Sequence, residues 1–165
     1  SYRGFDIDSA AVEWANSQFG QHFSVCDLLP PLPAADASTD LAFAYSVVTH
    51  IPEPALLHWM QEMKRILRPG GIFAFTVLSD VAAVALHPTQ TTERIVRWRE
   101  RGISDEMQNS QLESMGISRD HYKNVWLTRD YISRMLEGLE VIAYKSSFHF
   151  YQDLVIARRL PHDQL

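Results

Sequence analysis

Three side chains in the first third of the sequence have the types and spacing to hold a polar ligand and act on it: Asp6, Asp27 and His50. Asp6 lies in Gly4-Phe5-Asp6-Ile7-Asp8, at the end of a run that reads as a strand. A carboxylate at a strand end can accept hydrogen bonds from both hydroxyls of a sugar diol, each contributing roughly 1.5–3 kcal/mol. The same carboxylate can instead cap the following helix or face solvent. His50, in His50-Ile51-Pro52, has the side chain whose ordinary pKa, about 6.5, suits a general base at neutral pH, and it can equally hydrogen-bond its own loop. Other chemistries lack their residues: there is no paired-Cys or His-x-x-x-His spacing for zinc, no phosphate-binding P-loop and no Gly-x-Ser-x-Gly elbow. Cys26 reads as a buried, inert thiol.

The elements that must position these groups alternate β-rich runs with helical patterns between residues 1 and 80, as a parallel sheet with crossover helices requires. Tyr2 to Ile7 reads as the end of a strand. Asp8 or Ser9 can cap a helix with Val12, Ala15 and Phe19 on one face, stopped by Gly20. His22 to Cys26 is a second strand, and Asp27 to Thr39, with Pro30, Pro31 and Pro33, is a surface loop. Leu41 to Tyr45 returns to a buried strand. Pro52 and Pro54 suit the entry of a helix in which Leu56, Met60, Met63 and Leu67 recur at helical spacing, and Pro69-Gly70-Gly71 ends it. Ile72 to Leu78 is almost wholly apolar, as expected of a strand covered on both faces and central in its sheet.

Residues 80–127 change character and read as an insertion or lid, with a helix-like stretch around Ile95 and Trp98 and a polar run from Ser104 to Ser114 of little periodicity. Thr128 can cap a helix that turns Ile132, Met135 and Leu136 inward and stops at Gly138. Val141 to Phe150 and Leu154 to Ala157 are too close for a crossover helix, so they should pair antiparallel, and Leu160 to Leu165 should fray.

The 165 residues, 46% hydrophobic and 21% charged, fit one globular domain spanning 1–165. A formal charge of -5 without any basic run argues against duplex nucleic acid as a partner. The longest apolar stretches, Leu41 to Val48 and Ile72 to Leu78, fall far short of the roughly 20 residues that cross a bilayer, so no membrane partner is expected. One cysteine and no charged-then-apolar leader make a reducing cytoplasm the default.

Asp6 begins an ordered series: Asp27 after the next strand, Asp40-Leu41-Ala42-Phe43-Ala44, His50-Ile51-Pro52, and Arg65-Ile66-Leu67-Arg68-Pro69-Gly70-Gly71 before an apolar strand. That series resembles the class I S-adenosylmethionine-dependent methyltransferases of small-molecule type, from about Tyr2 to Leu78. The closing antiparallel pair is similar to that family's last two strands. The resemblance implies an α/β fold, a Rossmann-like doubly wound and mostly parallel sheet with an antiparallel C-terminal strand pair, and S-adenosylmethionine as cofactor. It implies that Asp6 binds the ribose hydroxyls, Ile7 packs on the adenine, and Asp27 with Leu28 meets the adenine edge. Tyr45, Ser46 and Val47 would line the methionine portion. His50 is the candidate catalytic residue, as a base or as an orienting group, and a small-molecule acceptor is the implied partner. The insertion would shape the acceptor pocket, and His87, Trp98, His121, Tyr122 and Trp126 in or beside it either face that pocket or pack.

The family's first strand and its Gly-x-Gly-x-Gly loop have no counterpart here, because none of the seven glycines falls in that pattern. The sheet expected from residues 1–165 therefore lacks its first strand and has a gap near its centre, between the strands at Gly4 and Leu41. Three readings follow. The chain is shortened at its N-terminus and impaired in activity; or the gap closes, by direct pairing of those two strands or by a strand from a partner in a homodimer; or the domain is a non-catalytic binding or dimerisation module. A nicotinamide-dependent dehydrogenase shares the acid after a strand but not the Pro69-Gly70-Gly71 series.

Overall fold

The computed structural model of this chain describes residues 1–79, 82 and 92–161. Asp8 is the cap of α1 (Ser9–Phe19), its Oδ1 accepting from the backbone N–H groups of Ala10 and Ala11 at 2.8 and 3.2 Å. Val12 is buried beneath the helix, but Phe19 remains 57% exposed, its ring against those of Trp14 and Phe23. The expected inward stripe is therefore shorter than its spacing suggested. On either side of α1 run β1 (Gly4–Asp6) and β2 (Phe23–Val25), paired parallel. Asn16 ties the helix to β2 through both ends of its amide, donating to the Phe23 carbonyl and accepting from the Phe23 N–H at 2.9 Å each.

β1 and β2 form a two-stranded sheet of their own. The larger sheet has β4 (Leu67–Leu78) at its centre. On one side β4 pairs antiparallel with β8 (Gln152–Arg159), which pairs antiparallel with β7 (Leu139–His149) at the edge. Its other side is shared by two strands in succession: β3 (Thr39–Ala44) runs parallel to it as far as Phe75, and β6 (Lys123–Leu127) pairs with it at Leu78↔Trp126. Among the described residues β3 pairs only with β4, so the direct pairing of the strands at Gly4 and Leu41 does not occur.

The core forms where α2 (Glu53–Ile66) lays Leu56, Met60, Met63 and Ile66 against the sheet residues Leu67, Phe73 and Phe75. Each such side chain contributes roughly 1.5–3 kcal/mol on full burial. α4 (Arg129–Met135), capped by the Thr128 hydroxyl on the Tyr131 N–H at 3.3 Å, adds Ile132, Met135 and the following Leu136 to the same core. The proline-rich loop is irregular but pinned. Leu32 enters the core and its N–H donates to Glu62 Oε1 at 2.6 Å, while Arg65 reaches Glu62, Asp36 and the carbonyls of Leu32 and Ala34.

The strand after α2 begins at Leu67 rather than at Ile72, because Leu67 already pairs with Thr39. Gly71 allows that approach: a Cβ there would stand 2.8 Å from the Arg68 carbonyl oxygen and 3.0 Å from that of Thr39. β3 is buried on one face only. Ala42 and Ala44 pack on the core, whereas Leu41 and Phe43 are 61% and 60% exposed.

Residues 103–127 are more regular than their polar composition suggested. After α3 (Thr92–Arg101), β5 (Ile103–Gln108) pairs antiparallel with β6, which joins the main sheet. His87 and residues 162–165 lie outside the described residues. Among the described residues no helix is long and apolar enough to cross a membrane.

Candidate functional site

Ligands in open α/β sheets bind at the carboxyl ends of the parallel strands, and that edge is where Asp6, Asp27, Ser46 and His50 are found. Asp6 is the last residue of β1, and Asp27 lies two residues past β2. The Cys26 N–H donates to the Asp6 carbonyl at 2.9 Å, which keeps the two strand tips side by side. The Cys26 thiol between them is pushed above its ordinary pKa by burial, then by the negative charges of Asp6 and Asp27. Both the Asp6 and the Asp27 side chains are exposed. Asp6 Oδ1 accepts from the Asp8 N–H at 2.9 Å, a short loop that fixes the carboxylate's orientation. Ile7 is half-buried beside it. Leu28 is 37% exposed, and its carbonyl is held by Trp59 Nε1 at 3.1 Å.

Beyond β3 the chain turns sharply. Ser46 has φ of 55°, a left-handed conformation that a serine adopts at some cost. It is held there from two sides: its N–H donates to Thr76 Oγ1 at 2.8 Å and its Oγ accepts from Gln152 Nε2 at 3.0 Å. Thr76 is fully buried and Gln152 is 9% exposed. The Gln152 Oε1 has no hydrogen-bond partner among the described residues. The neighbouring Tyr45 hydroxyl meets His149 Nδ1, and Val47 is 47% exposed.

The single turn Val48–His50 buries Val48 and Thr49 and presents His50. The His50 Nδ1 lies 2.9 Å from the Lys123 carbonyl oxygen. A carbonyl only accepts, so Nδ1 carries the hydrogen and the neutral ring keeps its lone pair on Nε2. Burial lowers the His50 pKa, opposed only in part by the Lys123 carbonyl, so the ring is neutral at neutral pH. Tyr122 stacks on it, with centroids 4.5 Å apart and planes at 20°. The Tyr122 phenol is itself pushed up by burial and then by the charge of Asp6. Tyr122 and His50 therefore form one stacked pair.

Other candidates do not join it. Trp98 and Trp126 are buried with Leu78 and Ala82 in a second apolar cluster, where Trp98 Nε1 donates to the Trp126 carbonyl at 3.1 Å. His121 is exposed. A cavity of about 400 Å³ lined by Leu29, Pro30, His58, Gln61, Glu62 and Arg65 contains none of the site residues, and its Glu62 and Arg65 are engaged in pinning the proline loop. No cluster of three or more metal-ligating side chains occurs among the described residues. Sequence reasoning missed Thr76 and Gln152. The available signal was Thr76 itself, a hydrogen-bonding side chain inside the apolar run Ile72 to Leu78.

Residues 1–75 match the family model described as a methyltransferase domain. The chain's fold is similar to that of a SAM-dependent methyltransferase from Methanosarcina mazei, with 17% identity and a TM-score of 0.66 over 96% of this chain and 81% of that one. An S-adenosylmethionine-dependent methyltransferase from Mesorhizobium loti gives 17% identity and a TM-score of 0.67 over the same shares, 96% and 81%. The N-methyltransferase NodS from Bradyrhizobium japonicum WM9, solved in complex with S-adenosyl-L-homocysteine, gives 15% identity and a TM-score of 0.53, over 94% of this chain and 64% of that one.

Proposed function

We propose that this chain, which has the fold of the class I methyltransferases, binds S-adenosylmethionine at the carboxyl edge of its sheets and transfers the methyl group to a small-molecule acceptor. The observation that carries this reading is the pair of exposed carboxylates, Asp6 and Asp27, at the tips of the paired strands β1 and β2, which the Cys26 N–H to Asp6 carbonyl bond keeps side by side. An ionised carboxylate accepts hydrogen bonds and donates none, which is what a ribose diol and an adenine amine require of their partners. Asp6 would take the ribose hydroxyls and Ile7 would pack on the adenine. Asp27 and the Leu28 N–H would meet the adenine edge, and Tyr45, Ser46 and Val47 would line the methionine portion.

When bound, the cofactor supplies a methyl group already activated by its sulfonium. The residues of the chain have to align an acceptor with it, exclude water and take up a proton. Alignment alone can lower the barrier by roughly 7–11 kcal/mol. His50, neutral and with its lone pair on Nε2, would accept the proton of an O–H or N–H acceptor. Residues 103–127 would form the acceptor side of the site, since their Tyr122 and Lys123 meet His50. A single free cysteine suits a reducing cytoplasm.

Calorimetric titration of S-adenosylhomocysteine into the chain tests the reading, with NAD as the control ligand. Saturable heat with S-adenosylhomocysteine and none with NAD is expected. Silence toward S-adenosylhomocysteine, or a stronger response to NAD, would sink it.

A further inference from the structure

The residues that hold His50 come from a segment 72 positions away and belong to two consecutive residues, Tyr122 and Lys123. Their own backbone is fixed. The Tyr122 N–H donates to the Ser118 carbonyl at 3.2 Å, and the Tyr122 carbonyl accepts from the Asn109 N–H at 3.1 Å. Asn109 and Asn124 join their side chains at 3.0 Å across the same pair of strands. Lys123 opens β6, whose ladder to β4 runs through Leu78↔Trp126. His50 is equally constrained, on a turn whose Val48 and Thr49 are buried and whose His50 N–H donates to the Val47 carbonyl at 2.9 Å. Two supports thus meet the imidazole in different ways: the ring of Tyr122 stacks on it at 20°, and the carbonyl oxygen of Lys123 stands 2.9 Å from Nδ1.

We infer that Tyr122, together with the Lys123 carbonyl, is a positioning residue of this site, fixing His50 as the Nδ1–H tautomer so that Nε2 is the atom presented to the acceptor. The inference rests on the base role proposed for His50. The carbonyl selects the tautomer only while the ring stays in its plane, because the hydrogen bond weakens steeply as the donor angle falls. The flat face of Tyr122 restricts that rotation. Tyr122 takes no proton itself; it acts through the histidine.

Nitrogen-15 NMR of histidine-labelled protein at neutral pH, with the His50 signals assigned by comparison with His50→Gln, reads the tautomer directly. The wild-type chain is expected to carry its proton on Nδ1 and none on Nε2. Tyr122→Phe keeps the stack and should keep that pattern, whereas Tyr122→Leu should give a mixture of tautomers. A wild-type ring protonated on Nε2 overturns the inference without any variant, and so does a Tyr122→Leu pattern identical to wild type.

Titration of S-adenosylhomocysteine into the same samples separates this role from a direct one. Unchanged affinity in Tyr122→Leu is expected. A weakening of about tenfold or more would make Tyr122 a cofactor contact and overturn the indirect role. Failure of the wild-type chain to bind S-adenosylhomocysteine counts against methyl transfer, while the tautomer pattern still decides whether Tyr122 positions His50.

Discussion

The hydroxyl of Ser79 donates to Asp153 Oδ2 at 2.5 Å, joining the carboxyl end of β4 to the start of β8 inside the protein. Asp153 is 2% exposed and also accepts from the Tyr144 hydroxyl at 2.5 Å and the Ser147 N–H at 2.8 Å. The Tyr144 phenol is pushed up to about 12, by burial first and by Asp153 second. Replacing Asp153 with Ala strands three donors. We expect a loss of about 3 kcal/mol in urea denaturation, and roughly half of that for Asp153→Asn, which keeps one acceptor oxygen.

Glu62 holds the proline loop through the Leu32 N–H and the guanidinium of Arg65, and Arg65 is the main reason its carboxyl stays below the usual range. A carboxyl depressed on folding stabilises the folded chain above its unfolded pKa, about 4.3, and that contribution fades as pH falls through the folded value. Glu62→Gln retains an acceptor for Leu32 but loses the charge. It should be less stable than wild type by about 1–2 kcal/mol at pH 7, and the two stability curves should converge below pH ~4.

Asp6→Ala removes the acceptor proposed for the ribose diol. Two charge-assisted bonds at roughly 1.5–3 kcal/mol each imply a loss of about two decades or more in S-adenosylhomocysteine affinity by calorimetry. Normal affinity in this variant would refute the assignment of Asp6.

His50→Ala should leave S-adenosylhomocysteine binding intact and lower methyl-transfer turnover by about two to four decades, the usual contribution of a general base. Burial depresses the His50 pKa, so the base stays unprotonated to lower pH than a free imidazole would. Turnover should fall only as pH drops below about 6.5. The same depression means that the unfolded chain binds the proton more readily, so His50's contribution to stability is also lost on acidification.

Gly71→Ala places a methyl group against two backbone carbonyls that cannot swing aside. A loss of about 1–3 kcal/mol in thermal or urea denaturation is expected, as for other overpacked positions. Gly70, with φ of 77° and no atom within 4 Å of where a Cβ would stand, should be penalised through its backbone alone.

Local signals were legible where local physics decides the outcome. Pro52, Pro54 and the 56, 60, 63 spacing specified α2, Asp8 its cap on α1, and Thr128 its cap on α4. Asp6 at the end of β1, Asp27 just past β2 and His50 on the turn after β3 lie where the strand pattern led one to expect them. What stayed hidden depends on distant pairing. β5 carries polar residues on an edge strand, so its alternation is weak, and the place of β6 is fixed by Leu78, 48 positions earlier. The role of Tyr122 is likewise invisible in sequence, because only the docking of β6 against the turn at Val48–His50 brings its ring over the imidazole. The exposure of Leu41 and Phe43 was missed for the opposite reason: an apolar run reads as buried whether or not a layer covers both of its faces.

β1 and β2 share no ladder with the larger sheet and touch its core through Phe5 and Cys26, so this small block need not open together with the large one. Amide protons at residues 4–6 and 23–25 should exchange with deuterium well before those of β4, which is flanked along most of its length. A cofactor held through its nucleoside by Asp6 and Asp27 on the small block and through its methionine portion by Ser46 on the large one would act as a rivet. Its arrival would then be recorded most strongly as slowed exchange in the small block, at amides that never touch it.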